Sequence, residues 1–141
     1  MKHLISTLLI IFVITSCSKD DDFESNKYPQ KWALIEMTGQ TPNSVKTGEN
    51  MTWQEYYILK ADGTFIKHRE QDGVKYEASG DYTFQDKTDG KYLELAYDTD
   101  SEIIGSCLAN QTENLRLTSA TQLMGTWLAC DGPGLEYKRV E

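Results

Sequence analysis

The sequence predicts an all-β protein, a small antiparallel meander barrel of about eight strands preceded by a disordered tether. Three observations carry this. Apolar and polar residues alternate over short runs between Trp32 and Val140. Turn dipeptides separate the runs, Asp62-Gly63 and Asp72-Gly73 above all. No segment after the first 27 residues keeps a helical period for ten residues or more. Closing the meander into a barrel also removes the sheet edges that make small β-proteins associate.

The elements follow in order. Residues 32–38 alternate Trp32, Leu34 and Glu36 against Ala33, Ile35 and Met37. Residues 39–50 are polar, contain Pro42 and Gly48, and hold too few apolar side chains for a core element. Strands are expected at 52–60 and 64–70, joined by Ala61-Asp62-Gly63, the strongest local hairpin signal in the chain. Gln71-Asp72-Gly73 makes a second turn, and 79–85 a further strand with Tyr82 and Phe84 on one face. After a turn at 86–90, residues 91–97 set Leu93, Leu95 and Tyr97 against Tyr92, Glu94 and Ala96. The remaining strands are expected at 102–108, 114–118, 122–130 and 135–140, with one helical turn conceivable at 119–124.

The first 27 residues read differently. Lys2 and His3 precede an apolar run over 4–14 that is too short for a permanent membrane helix, which needs about 20 apolar residues. Its length and flanks suit a secretory signal. The run ends Ile14-Thr15-Ser16-Cys17, which resembles the bacterial lipobox: an aliphatic residue, two small ones, then a cysteine whose thiol accepts a diacylglycerol. Residues 1–16 are therefore expected to be removed and Cys17 to carry the lipid. Residues 17–27 form an acidic tether with Asp20, Asp21 and Asp22 at its start, and 28–141 form the folded domain.

Charge and cysteines narrow the function. Cleavage removes Lys2 and no acid, leaving 13 basic and 22 acidic side chains, a formal charge of −9. That balance argues against nucleic acid, whose phosphates are held by clustered Lys and Arg. It also argues against electrostatic adhesion to anionic lipid, so membrane attachment falls to the acyl chains. With Cys17 lipidated, Cys107 and Cys130 remain as an even pair in an oxidising compartment and are expected to bridge; two buried free thiols are the alternative.

A family resemblance rests on Trp32, the hairpin Tyr57-Ile58-Leu59-Lys60-Ala61-Asp62-Gly63-Thr64-Phe65, Gly80-Asp81-Tyr82-Thr83-Phe84, Leu93-Glu94-Leu95 and Trp127. In that order they resemble the lipocalin-like lipoproteins of the Bacteroidetes, over most of 28–141. The resemblance implies a small ligand-holding barrel at the cell envelope. The glycine-x-tryptophan signature of true lipocalins is absent, since Gln30 stands at the glycine position. The aspartate run after Cys17 resembles the surface-export signal of such lipoproteins. It implies an outer-membrane, surface-exposed location, with a periplasm-facing anchor as the alternative.

No catalytic site is legible, and the chain reads as a non-enzyme. His68 lies in an apparent strand between Lys67 and Arg69 and reads as a surface or edge histidine; neither a Gly-x-Ser-x-Gly elbow nor a Ser-x-x-Lys is present. One histidine and two bridged cysteines cannot ligate zinc, and Asp98, Asp100 and Glu102 lack the spacing of a calcium loop, so no metal or cofactor is expected. Aromatics are the enriched class, and Trp53, Tyr57, Phe65, Tyr82 and Trp127 are the candidate ligand-binding residues. Two functions follow. One is a binding module for a small apolar or carbohydrate ligand. The other is a surface-displayed accessory protein that works through protein contacts, with a filled core and no ligand.

Overall fold

A computed structural model describes residues 27–141; the expected leader, Cys17 and the aspartate run lie outside the described residues. The strands are β1 (Gln30–Thr38), β2 (Lys46–Thr47), β3 (Gln54–Leu59), β4 (Thr64–Gln71), β5 (Val74–Lys87), β6 (Gly90–Tyr97), β7 (Thr112–Ser119), β8 (Gln122–Gly125) and β9 (Gly134–Arg139). β1 pairs with β3 through Trp32–Tyr57 and with β9 through Leu34–Tyr137, and every other neighbour is sequential. The result is a closed antiparallel barrel of eight strands, with β2 as an outer strand on β1.

Turn chemistry sets the registers. Asp72 and Gly73 both have positive φ, the two-residue turn that matches the strand twist, and they pair Gln71 with Val74. At the β3–β4 turn the Asp62 carboxylate accepts from the Thr64 N–H at 3.0 Å and the Thr64 hydroxyl at 2.7 Å. Those bonds hold its carboxyl below the usual range.

Several expectations shift in detail. The simple alternation of the first strand breaks at a bulge between Leu34 and Glu36, so Met37 rather than Glu36 joins Trp32 and Leu34 inside. β5 begins at Val74, ahead of the expected 79, because the Asp72–Gly73 turn pairs it with β4 from its first residue. Residues 102–108 are irregular and pair with no strand: a turn at 102–103 carries Ile103 inward, where it is 1% exposed. The strand expected at 122–130 stops at Gly125 and continues as a 3-10 turn, Trp127–Cys130. Residues 119–124 form a hairpin, with Ser119 opposite Gln122, and no helical turn.

The barrel has two unlike poles. The turns at 60–63, 88–89 and 120–121, together with both described chain ends, gather at one pole. Lys27 is held there by its carbonyl, which accepts from Arg139. The long connections 39–53, 98–111 and 126–133 gather at the other.

Candidate functional site

The loop-bearing pole carries an open cleft of about 570 Å³. Its apolar walls come from Met37, Trp53, Trp127 and Pro133, and its rim from Thr41, Ser44, Lys46 and Thr52. Each wall is fixed locally. Trp53 enters β3, where the Arg69 guanidinium stacks 4.3 Å from its ring centroid. Trp127 starts the 3-10 turn, and its ring lies so close to Gly132 that a Cβ there would collide with it, while a Cβ at Gly105 would press on it at 3.1 Å. The loop after β1 is tied across by Gln40, whose amide donates to the Gly132 carbonyl at 2.9 Å. Ser44 Oγ accepts from the Gly39 N–H at 2.9 Å and closes the same loop.

Beneath the cleft, the interior is filled by a charged network. Lys67 Nζ lies 3.2 Å from Glu55 and 3.0 Å from Glu113, and Arg69 Nε donates to Glu55 at 2.5 Å. Two cations face two anions, and all four side chains are buried. Tyr57 donates to Glu113 at 3.1 Å, Tyr137 donates to Glu55 at 2.5 Å, and Tyr97 donates to Glu113. Burial, then the neighbouring carboxylates, pushes all three phenols well above the ordinary tyrosine value. The Ile103 carbonyl accepts from Lys67 at 2.7 Å and from Arg69 at 3.2 Å, so the 98–111 connection closes over the network.

The five aromatic candidates separate. Trp53 and Trp127 meet in the cleft. Tyr57 and Phe65 point into the barrel and are fully buried, Tyr57 in the charged network and Phe65 edge-on to Tyr97 at 4.9 Å. Tyr82 sits at the opposite pole, where its hydroxyl donates to the Lys60 carbonyl at 2.7 Å and burial raises its pKa. Cys107 and Cys130 form a disulfide, with Cα atoms 5.6 Å apart. His68 lies on the outer face, stacked on Tyr56 at 4.7 Å with Nδ1 3.2 Å from Glu77.

Glu55, Lys67, Arg69 and Glu113 went unnoticed in the sequence. Their signal was parity: Glu55 shares the face of Tyr57 and Leu59, and Lys67 and Arg69 share that of Phe65. Among the described residues, no group of three or more His, Cys, Asp or Glu is placed to hold a metal ion. Compared with protein-family models, curated proteins and solved structures, the chain finds no match.

Proposed function

We propose that this chain is a lipid-anchored binding protein of the cell envelope, of the lipocalin-like lipoprotein type, with its ligand seat in the rim cleft and not in the barrel lumen. The observation that carries the reading is the meeting of Trp53 and Trp127 in one open cleft. Two indoles beside the hydroxyls of Thr41, Ser44 and Thr52 suit a carbohydrate, which offers an apolar ring face and a polar edge. Within the lumen, buried side chains already pair with one another, which favours the rim. The reading is of binding without chemistry: the cleft lining offers hydroxyls and an ammonium, with no histidine or carboxylate to serve as base.

The proposed anchor fits this arrangement. Lys27 enters the barrel at the pole opposite the cleft, so the described chain begins on the far side from the ligand seat. The experiment is a tryptophan-fluorescence titration of the full chain in detergent against cello-, chito-, malto- and xylotetraose. A saturable response that is lost in Trp53→Ala and Trp127→Ala supports the reading. No response to any of them sinks the carbohydrate seat. Acyl labelling that survives Cys17→Ser would overturn the anchor, and full protection of the domain on intact cells would overturn surface display.

A further inference from the structure

We infer that residues 103–107 form a redox-gated strap that sets both walls of the rim cleft. The inference rests on the reading of that cleft as the ligand seat and adds its control. The strap touches the site at three points. Ile103 is 1% exposed, and its carbonyl is gripped by Lys67 and by Arg69, the same guanidinium that stacks on Trp53. Gly105 is wedged between the other wall and the network: a Cβ there would lie 2.7 Å from Glu113 Oε1 and 3.1 Å from the Trp127 ring. Cys107 is bonded to Cys130, at the end of the 3-10 turn that Trp127 begins.

Among the described residues the bridge is the one side-chain covalent tie on this strap, and both of its cysteines are exposed, open to attack by a thiolate. A dithiol reductant balances the step. The Cys107–Cys130 S–S bond breaks, each sulfur gains a proton and an electron, and the dithiol is oxidised to its own disulfide. The barrel itself is closed by strand pairing in which neither cysteine takes part, so opening the bridge frees the strap while the sheet stays intact. The freed strap lets Trp127 swing from Gly105, and releases the Ile103 carbonyl that helps hold Arg69 against Trp53.

The chain's three tryptophans give a test that needs no ligand. The full chain is labelled with 5-fluorotryptophan, held in detergent, and its fluorine spectrum is recorded with and without dithiothreitol. Trp127 is expected to shift or broaden most and Trp53 next, while Trp32, fully buried away from the cleft, stays in place. Gly105→Ala displaces the strap with the bridge intact and is expected to move Trp127 in the same way. Fluorine signals unmoved by reduction would overturn the gate. So would a shift of Trp32 with the others, which would make the bridge a brace for the whole barrel. In a parallel arm, the tetrasaccharide response should weaken about fivefold or more on reduction, the low end of a coupling between sites. Oxidised protein that binds no tetrasaccharide fails the proposed function alone, because the fluorine spectrum still decides the strap.

Discussion

The two halves of the barrel interior are built on opposite principles. Towards the pole of the chain ends, the interior is Trp32, Leu59, Phe65, Leu93, Leu95 and Leu123, each less than 2% exposed. Such side chains contribute about 1.5–3 kcal/mol apiece by leaving water, with little demand on orientation. Towards the loops, beside Met37 and Leu135, the strands present Glu55, Lys67, Arg69 and Glu113 ringed by Tyr57, Tyr97 and Tyr137. Buried ion pairs gain little over apolar residues of equal volume, because desolvation offsets the attraction. What they supply is geometry. The cations of this half hold the Ile103 carbonyl, and one of them holds Trp53. One half keeps the barrel folded, and the other fixes the rim above it.

The largest expected effect is a pH limit that belongs to the polar half. Its three phenols titrate above the ordinary tyrosine value in the folded state, chiefly through burial, and near 10 when unfolded. Their contribution is fully present below about pH 10 and is lost as pH rises through the folded values. The effect grows as the three phenols are asked to ionise together, because each lies beside the carboxylates and the other phenols. Cooperative unfolding is expected as pH rises above about 10, seen together in tyrosinate absorbance and circular dichroism. Stepwise ionisation of folded protein would show that the phenols are not sealed in. Leu93→Ala, in the apolar half, should lower stability by the same amount at about pH 7 and just above about pH 10, short of unfolding.

Next in size is Lys67→Met, which keeps the chain's bulk and removes the ammonium between Glu55 and Glu113. Leaving the carboxylates without it should cost about 3–5 kcal/mol in urea unfolding. Leu95→Met in the other half conserves volume and should cost less than about 1.5 kcal/mol. Equal costs would erase the distinction between the halves.

That distinction was only partly legible. Alternation and the two Asp-Gly turns were enough to read an eight-stranded meander, because period-two patterning and turn residues act locally. The disulfide was legible from cysteine count. The charged network was hidden by its residue types, since Lys67, Arg69 and Glu113 read as solvent-facing until the barrel closes and each finds a partner from another strand. The cleft was hidden for a related reason. Trp53 and Trp127 are 74 positions apart, and only closure of the barrel brings them to one cleft. Ile103 lies in a run that reads as a strand, because no residue type in it marks a loop that turns inward.

Reduction of the Cys107–Cys130 bridge comes third. With the cysteines 23 positions apart in sequence, freeing the unfolded chain should cost about 3 kcal/mol, a fall in melting temperature of about 10 °C or more by calorimetry. At ambient temperature the barrel should remain folded, its apolar half untouched. Loss of the barrel on reduction at ambient temperature would mean that the two halves cannot be separated.

The smallest effect gives the sharpest contrast, because one substitution is made in each half. Trp53 Nε1 is buried with no acceptor among the described residues, while Trp32 Nε1 donates to Gln30 Oε1 at 3.2 Å. Trp53→Phe removes an unpaired donor and keeps an aromatic face for Arg69. The relief of the orphaned N–H and the weaker stacking nearly cancel, so stability should change by less than about 1 kcal/mol. Trp32→Phe instead strips Gln30 Oε1 of its donor in a residue whose Nε2 already lacks a partner, which should cost about 1–3 kcal/mol. Urea unfolding of the two variants side by side decides the matter. If Trp53→Phe is the more damaging, the indole N–H finds an acceptor in solution and Trp53 is part of the fold's polar scaffold. If it is silent in stability and still weakens tetrasaccharide binding, Trp53 belongs to the rim, and the polar half exists to hold it there.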